Sequence, residues 1–245
     1  MELRLLQWNV LYTESAENIL KLVSTINADI ICLQELTQDS RANPRINIPG
    51  RIEQLGYDSH YFITLTKDNF IMGNGIFSKC PISTRSSIYT HRGGKSPNYS
   101  SSYADEPRAY IEATADVLGR KLHIGTTHLS YVDMFKPTPE RDKENEKFLS
   151  YVREHQQDFI FTGDFNATPE SALVRTLAAE FQHASPDFTE KTWTTKPFSY
   201  NGFEANALDW RLDYVFCTQD ITVVSRKIVQ TQYSDHLPIL VTIKI

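Results

Sequence analysis

The segment DIICLQ, Asp29 to Gln34, decides the fold. Its apolar residues run together instead of alternating with polar ones, and the run is too short for a typical helix. That is the pattern of a β-strand covered on both faces. Just upstream, Ile19, Leu20, Val23 and Ile26 recur at helical spacing behind Ser15, a suitable N-cap. Before them Leu3–Val10 reads as another strand. Strand, helix and doubly buried strand in succession point to an α/β protein whose sheet is sandwiched between layers.

Downstream, a helix is predicted over Pro49–Leu55, stopped by Gly56, and strands over Ser59–Leu65, Gly75–Ser78 and Ile82–Tyr89. The polar, aperiodic stretch 91–106 reads as a long surface loop. Arg108–Val117 and Lys121–His128 form a hairpin through Leu118-Gly119-Arg120. Thr138-Pro139 opens a helix that turns Phe148, Leu149 and Val152 inward. A buried strand, Asp158–Thr162, and a helix, Pro169–Ala179, follow. The last third holds strands near Leu212–Cys217, Ile221–Val229 and Leu237–Ile245. This order predicts an α/β (α+β) sandwich of mixed sheets with helices on the outer faces.

The 245 residues are 40% hydrophobic and 11% aromatic, enough for one sizeable core, and no tract or repeat divides them. One domain, 1–245, is expected. The net charge of −5 argues against a protein that coats long nucleic acid, although acidic residues gathered at a metal site would mask a basic face. Cys32, Cys80 and Cys217 are too few and too scattered for a disulfide framework or a zinc site. Met1–Leu5 leads straight into a strand and no apolar run approaches the ~20 residues of a membrane span. The expectation is a soluble, cytoplasmic protein, and nothing suggests a dimer, so a monomer is expected.

Polar residues gather where the strands end. Asn9 follows Gln7-Trp8, Glu35 follows DIICLQ, and Thr127-His128 ends KLHIGTTH. Asp164 and Asn166 follow FIFT, Asp213 lies in RLDYVF, and Asp235-His236 precedes the terminal strand. Carboxylates and imidazoles at strand ends can converge on one crevice held rigid by the sheet. Mg²⁺ takes oxygen ligands and keeps several waters, so Glu35, with Asn9 and Asp235, is the expected metal site. Asp164 and Asn166 flank Phe165 and share one face of an extended segment. His236 can move protons or, when protonated, hold a developing phosphorane oxyanion, with Asp213 as its orienting carboxylate. Taken singly, each has a structural alternative: Glu35 a capping or surface acid, Asp164 and Asn166 a simple turn, His236 a satisfied structural residue.

The set resembles the endonuclease/exonuclease/phosphatase superfamily. Its blocks are LLQWNV, ICLQE, GNGIFSKCPI, TTHLS, FTGDFNATPE, RLDYVF and SDHLPI, in that order along almost the whole chain. The resemblance implies a four-layered α/β sandwich and a Mg²⁺- or Mn²⁺-dependent phosphoesterase. It implies that Asn9 and Glu35 belong to the metal site, with Asp235 a ligand or an immediate neighbour. Asp164 would position or deprotonate the attacking water, Asn166 would contact the phosphate, and His236, oriented by Asp213, would stabilise the pentacovalent transition state. His128 would be a second imidazole facing the phosphate, able to help protonate the leaving group. Asn74 matches the family's asparagine block, and Arg108 a phosphate-gripping arginine of some branches; an ion pair with Asp105 or Glu106 is the alternative for Arg108. In-line attack of water, without a covalent intermediate, is the implied chemistry.

Substrate choice is expected in three loops, 91–106 with His91, Arg92, Lys95 and Tyr99, 129–138 with Tyr131, Met134 and Phe135, and 196–210 with Phe198, Tyr200, Phe203 and Trp210. Their aromatics can meet bases or a lipid interface, or pack the loops onto the body. TTHLS resembles the histidine-containing branches and departs from the abasic endonucleases. The leading expectation is a nuclease-type phosphodiesterase acting on nucleic acid or a nucleotide. The alternative is a phosphoesterase acting on a phospholipid or inositol phosphate at a membrane surface. A fold-only binding module is disfavoured by the intact set of polar residues.

Overall fold

The strand at the N-terminus explains the layering. In β1 (Glu2–Asn9), Leu3 and Leu5 point into one apolar cluster while Leu6 and Trp8 point into another. The next strand, β2 (Ile30–Thr37), does the same with Ile30 and Cys32 against Ile31 and Leu33. Period-two alternation of apolar side chains on both faces requires a cover on each side.

The computed structural model describes residues 1–37, 47–67, 70–93 and 103–245, and Lys95 and Tyr99 lie outside the described residues. Six strands form the first sheet in the order β13-β14-β1-β2-β4-β3. Besides β1 and β2 these are β3 (Asp58–Lys67), β4 (Phe70–Ser78), β13 (Thr222–Ile228) and β14 (Ile239–Lys244). The second sheet has the order β5-β6-β7-β8-β12-β9. It comprises β5 (Ile82–His91), β6 (Arg108–Val117), β7 (Arg120–His128), β8 (Phe159–Asp164), β9 (Gln182–His183) and β12 (Asp213–Cys217). Both sheets are mixed, since β1 runs parallel to β2 and β7 parallel to β8 while the other pairings are antiparallel.

Helices α1 (Ala16–Ile26) and α2 (Ile48–Glu53) cover the first sheet, with Ile19, Val23 and Ile52 meeting Leu6 and Leu33. Helices α3 (Pro139–Val152) and α4 (Ala172–Glu180) cover the second, with Phe148 and Leu177 meeting Phe161 and Phe216. The inner faces meet through Leu5, Ile30 and Val241 on one side and Ile111, Ile124 and Val215 on the other. The four layers expected from the resemblance are therefore present. No described helix is long and apolar enough to cross a membrane.

Capping chemistry sets the helix starts. Ser15 accepts the Asn18 amide, Thr138 that of Arg141 and Ser171 that of Val174. The last corrects the expected start of α4 at Pro169, because Thr168–Ser171 is a turn that ends on the true cap. β4 begins at Phe70 rather than Gly75, because residues 70–73 pair with 63–67 of β3, and Gly73 comes so close to the Phe62 carbonyl that no side chain fits there. Within the stretch 196–210, read above as a loop, β10 (Phe198–Tyr200) and β11 (Phe203–Ala205) form a short hairpin.

Candidate active site

Along the inner faces the side chains change from apolar to polar toward one edge of the sandwich. The sequence of inward residues is Leu5, Gln7, Asn9 in β1, Ile124, Thr126, His128 in β7 and Ile160, Thr162, Asp164 in β8, while β12, running the other way, begins with Asp213. Register brings them level, since His128 lies beside Asp164 and Asp164 opposite Asp213. Beneath them Gln7 and Gln34 bond to each other at 2.6 and 3.0 Å, and Gln34 reaches Thr126 at 2.8 Å. This satisfied amide layer is the floor of the site, and a buried polar network of this kind fixes positions because each unmade bond would be costly.

Glu35 is aimed by a β-bulge. The register of β2 with β4 slips between Leu33 and Leu36, and Glu35 sits inside the slip with φ at 59°. A non-glycine residue in that region costs about 1–3 kcal/mol and persists only where surrounding contacts hold it. Its Oε1 accepts from Asn9 Nδ2 at 3.0 Å and its Oε2 from the Tyr12 amide at 3.0 Å. Asn166, with φ at 45°, is similarly turned inward; its Nδ2 lies 3.2 Å from His128 Nε2 and donates to the Leu129 carbonyl at 2.9 Å.

His236 Nδ1 lies 2.8 Å from Asp213 Oδ2, and its Nε2 lies 3.5 Å from Asp164 Oδ2. The Asp235-His236 turn is pinned by Trp8, whose indole donates to the His236 carbonyl, and by Ser234, whose hydroxyl donates to the Asn9 carbonyl. Asp235 Oδ2 accepts from Trp193 Nε1 at 2.9 Å. His128 Nε2 is 3.5 Å from Asp164 Oδ2. Arg108 Nη1 lies 3.0 Å from His128 Nδ1, and Nη2 donates to Glu106 at 2.8 Å. Of the two readings of Arg108 the ion pair is present, with Glu106, and the same side chain also lines the cavity.

Two sequence-derived site residues sit differently from the expectation. Asn74 is buried, donates to the Ala109 carbonyl at 3.0 Å and does not line the cavity, so it ties β4 to β6 behind Arg108. Asn9 turns its Nδ2 toward Glu35 and Asp164, each at 3.0 Å, and its Oδ1 toward the Leu11 amide. In this arrangement it spaces two carboxylates instead of presenting oxygen to a cation. The other site residues, Glu35, Arg108, His128, Asp164, Asn166, Asp235 and His236, line one cavity of about 600 Å³, with Asp213 behind His236.

The charges are unbalanced. Burial, then the neighbouring Asp235, pushes the Glu35 carboxyl up to about 7. Burial likewise raises Asp164 to about 6 despite His236. His236 is held well above the ordinary histidine range, because Asp213, Asp164 and Asp235 together outweigh its burial. His128 goes the other way, with burial and then Arg108 keeping it neutral. A cation among Glu35, Asp235 and Asp164 would relieve the cost of gathering carboxylates in a buried place, so the donor set fits a hard divalent ion.

Sequence reasoning missed the supports of the site. Arg141 and Glu144 form a buried pair that also binds Ser130 and, through Arg141, the Phe165 carbonyl, fixing the segments after β7 and β8. The aromatics of 129–138 and 196–210 pack on each other, as Phe135 on Trp210 at 4.8 Å and Tyr131 on Phe198 at 5.9 Å. Tyr103, Tyr131, Trp193 and Phe198 also form a wall of the cavity. Aromatic content hinted at this wall; which rings meet it depends on the hairpin.

Solved structures share the arrangement of the chain. An endonuclease/exonuclease/phosphatase from Beutenbergia cavernae superposes with a TM-score of 0.76 at 18% identity, covering 100% of this chain and 72% of that one. D. rerio TDP2 complexed with a single-strand DNA product gives 0.71 at 19% identity, covering 100% and 99%. Mannosyl-6-phosphatase from Bacteroides thetaiotaomicron gives 0.71 at 14%, covering 99% and 100%. No curated protein matches significantly in sequence. The family model of the Endonuclease/Exonuclease/phosphatase family matches residues 6–236, and the chain, a phosphoesterase hydrolase by that descent and fold, belongs to this family.

Proposed function

We propose that residues 1–245 are one catalytic domain that hydrolyses a phosphodiester by direct attack of water, with nucleic acid or a nucleotide as substrate. The observation that carries the reading is the convergence of Asp164 and the Asp213–His236 pair in a cavity one of whose walls is aromatic. Asp164, raised to about 6, can hold the attacking water and take its proton near neutral pH. The water oxygen bonds to phosphorus as the P–O ester bond opposite it breaks, and the leaving oxygen takes a proton from solvent water to depart as the alcohol. His236, kept protonated by Asp213, stabilises negative charge on the phosphoryl oxygens, and Asn166 and the Arg108 guanidinium line the same cavity. Neutral His128 serves as another hydrogen-bonding group facing them.

Glu35 and Asp235, with Asn9 spacing the carboxylates, would hold Mg²⁺ or Mn²⁺, whose contribution when bound is Lewis-acid polarisation of the phosphate. The aromatic wall of Tyr103, Tyr131, Trp193 and Phe198 favours a substrate with a flat ring, since each stacked base adds ~1–3 kcal/mol whatever its identity. Hydrolysis of an aryl phosphodiester and the matching monoester, with Mg²⁺ or Mn²⁺ and with EDTA, tests the proposal, with His236→Ala as control. Metal-dependent diester cleavage lost in the variant supports it. Monoester cleavage alone would replace it with a phosphatase, and co-sedimentation with liposomes would move it to a lipid substrate.

A further inference from the structure

A second group of metal-ligating side chains lies on the outer face of the second sheet. Glu112 of β6, His123 of β7 and His155, just after α3, bring their ligand atoms within 4.8 Å of one another. His155 Nε2 is 2.9 Å from Glu112 Oε2, and His123 Nδ1 is 3.9 Å from Glu112 Oε1. The two imidazole rings face each other with centroids 4.7 Å apart.

The three residues come from different elements, and each is held. In the antiparallel β6–β7 ladder Thr114 opposes His123, so Glu112 sits one step diagonally from it on the same face. Glu112 Oε2 also accepts from the Tyr110 hydroxyl at 2.7 Å, and His123 Nδ1 lies 3.1 Å from Thr114 Oγ1. His155 stacks on Phe159 at 4.2 Å, which fixes its ring plane. The side chains are 17%, 33% and 17% exposed for Glu112, His123 and His155, buried enough to be ordered and open enough to admit an ion.

We infer that Glu112, His123 and His155 form a binding site for a borderline transition-metal ion such as Zn²⁺, separate from the catalytic centre. Two imidazoles and a carboxylate form a set that suits Zn²⁺, whereas Mg²⁺, which seeks oxygen, is poorly served by the two imidazoles. His123 and His128 stand five residues apart on β7, which places the two sites ~16 Å from each other along the strand. The ion would staple the turn after α3 to the β6–β7 hairpin and so brace the strands that carry Arg108 and His128.

The test is calorimetric titration of Zn²⁺ into the full chain held in excess Mg²⁺, for the wild type and for Glu35→Ala, His123→Ala and His155→Ala. The expected result is one equivalent of Zn²⁺ that survives Glu35→Ala and binds ~10-fold or more weakly in each histidine variant, because loss of an outer partner alone typically costs 10–100-fold. Replacement of Zn²⁺ by Co²⁺ should give a visible absorption band that His123→Ala removes, while Mg²⁺-dependent diester hydrolysis stays at the wild-type rate in that variant. Absence of Zn²⁺ uptake by the wild type, or uptake unchanged in His123→Ala, overturns the inference. His123 is the most exposed of the three, so its variant keeps the test decisive if His155→Ala does not fold.

Discussion

Asp213→Asn isolates the charge that the site places behind His236. The carboxylate is 1% exposed, its Oδ2 lies 2.8 Å from His236 Nδ1, and its Oδ1 is 3.5 Å from Gln7 Nε2. Asparagine keeps the volume and one hydrogen-bonding oxygen but removes the negative charge. Removing one partner of a buried ion pair costs ~3–5 kcal/mol. If that loss falls on the transition state, kcat drops ~10²–10⁴-fold, since 1.36 kcal/mol is a factor of ten. The pH profile gives a second reading. His236 in the native protein stays protonated well above the ordinary range, with Asp213 the strongest of the three carboxylates that oppose its burial. Without Asp213 the imidazolium is lost at lower pH, so the alkaline limb of kcat should move to lower pH. The assay is aryl diester hydrolysis at saturating Mg²⁺ from pH 6 to 10, with melting temperature as the folding control. KM should change little, because the interaction is made with the transition state. A folded variant that loses less than ~10-fold at pH 8, with an unmoved alkaline limb, would refute the role given to the pair.

Other outcomes follow from the same geometry. Mg²⁺ binding should weaken ~10-fold between pH 8 and pH 6 as Glu35, raised to about 7, takes up a proton, and calorimetry at the two pH values should show no such dependence in Glu35→Gln. In EDTA Glu35 and Asp164, raised on folding to about 7 and about 6, make the native state bind extra protons and gain stability as pH falls from about 7 to about 5. His128 and His183, lowered on folding, oppose this below about 6.5, so the wild type should gain melting temperature relative to Glu35→Gln over that window. Below that window both proteins should lose melting temperature, because Asp58 and Glu14, whose folded carboxyls lie below their usual range, lose their stabilisation as they protonate. Phe198→Ala should raise KM for a nucleotide diester ~5-fold or more while leaving kcat for a simple dialkyl diester near wild type; equal KM values for the nucleotide would remove the aromatic wall from recognition. Gly163→Ala should destabilise the fold by ~1–3 kcal/mol, because a Cβ there would lie 2.3 Å from the Thr127 carbonyl and push β8 from β7; an unchanged denaturation midpoint would contradict that contact.

The layers were legible in sequence because they depend on local periodicity. Leu3, Leu5, Leu6 and Trp8 fill two faces of one strand, and DIICLQ does the same, which requires a cover on each side. Caps such as Ser15 and Thr138, and the Leu118–Gly119 turn, act over a few residues and were read directly. The strand-end polar residues were legible for the same reason: an inward position that turns polar at the end of a buried strand has to face something other than the core.

What periodicity cannot encode is how distant segments meet. Glu35 enters the site through a slip of register against β4, Arg108 satisfies Glu106 and the cavity at once, and Asn9 spends its amide on two carboxylates brought from 26 and 155 residues away. The Arg141–Glu144 support, the aromatic wall and the Glu112–His123–His155 group likewise exist only once loops and strands have packed. Sequence alone determined the elements, their order and the residue types available at one edge of the sandwich, since these follow from the side chain's own preferences and its nearest neighbours. The tertiary structure decided which of those residues face one another, and with that their charge states, because burial and the field of neighbouring charges are properties of the packed whole.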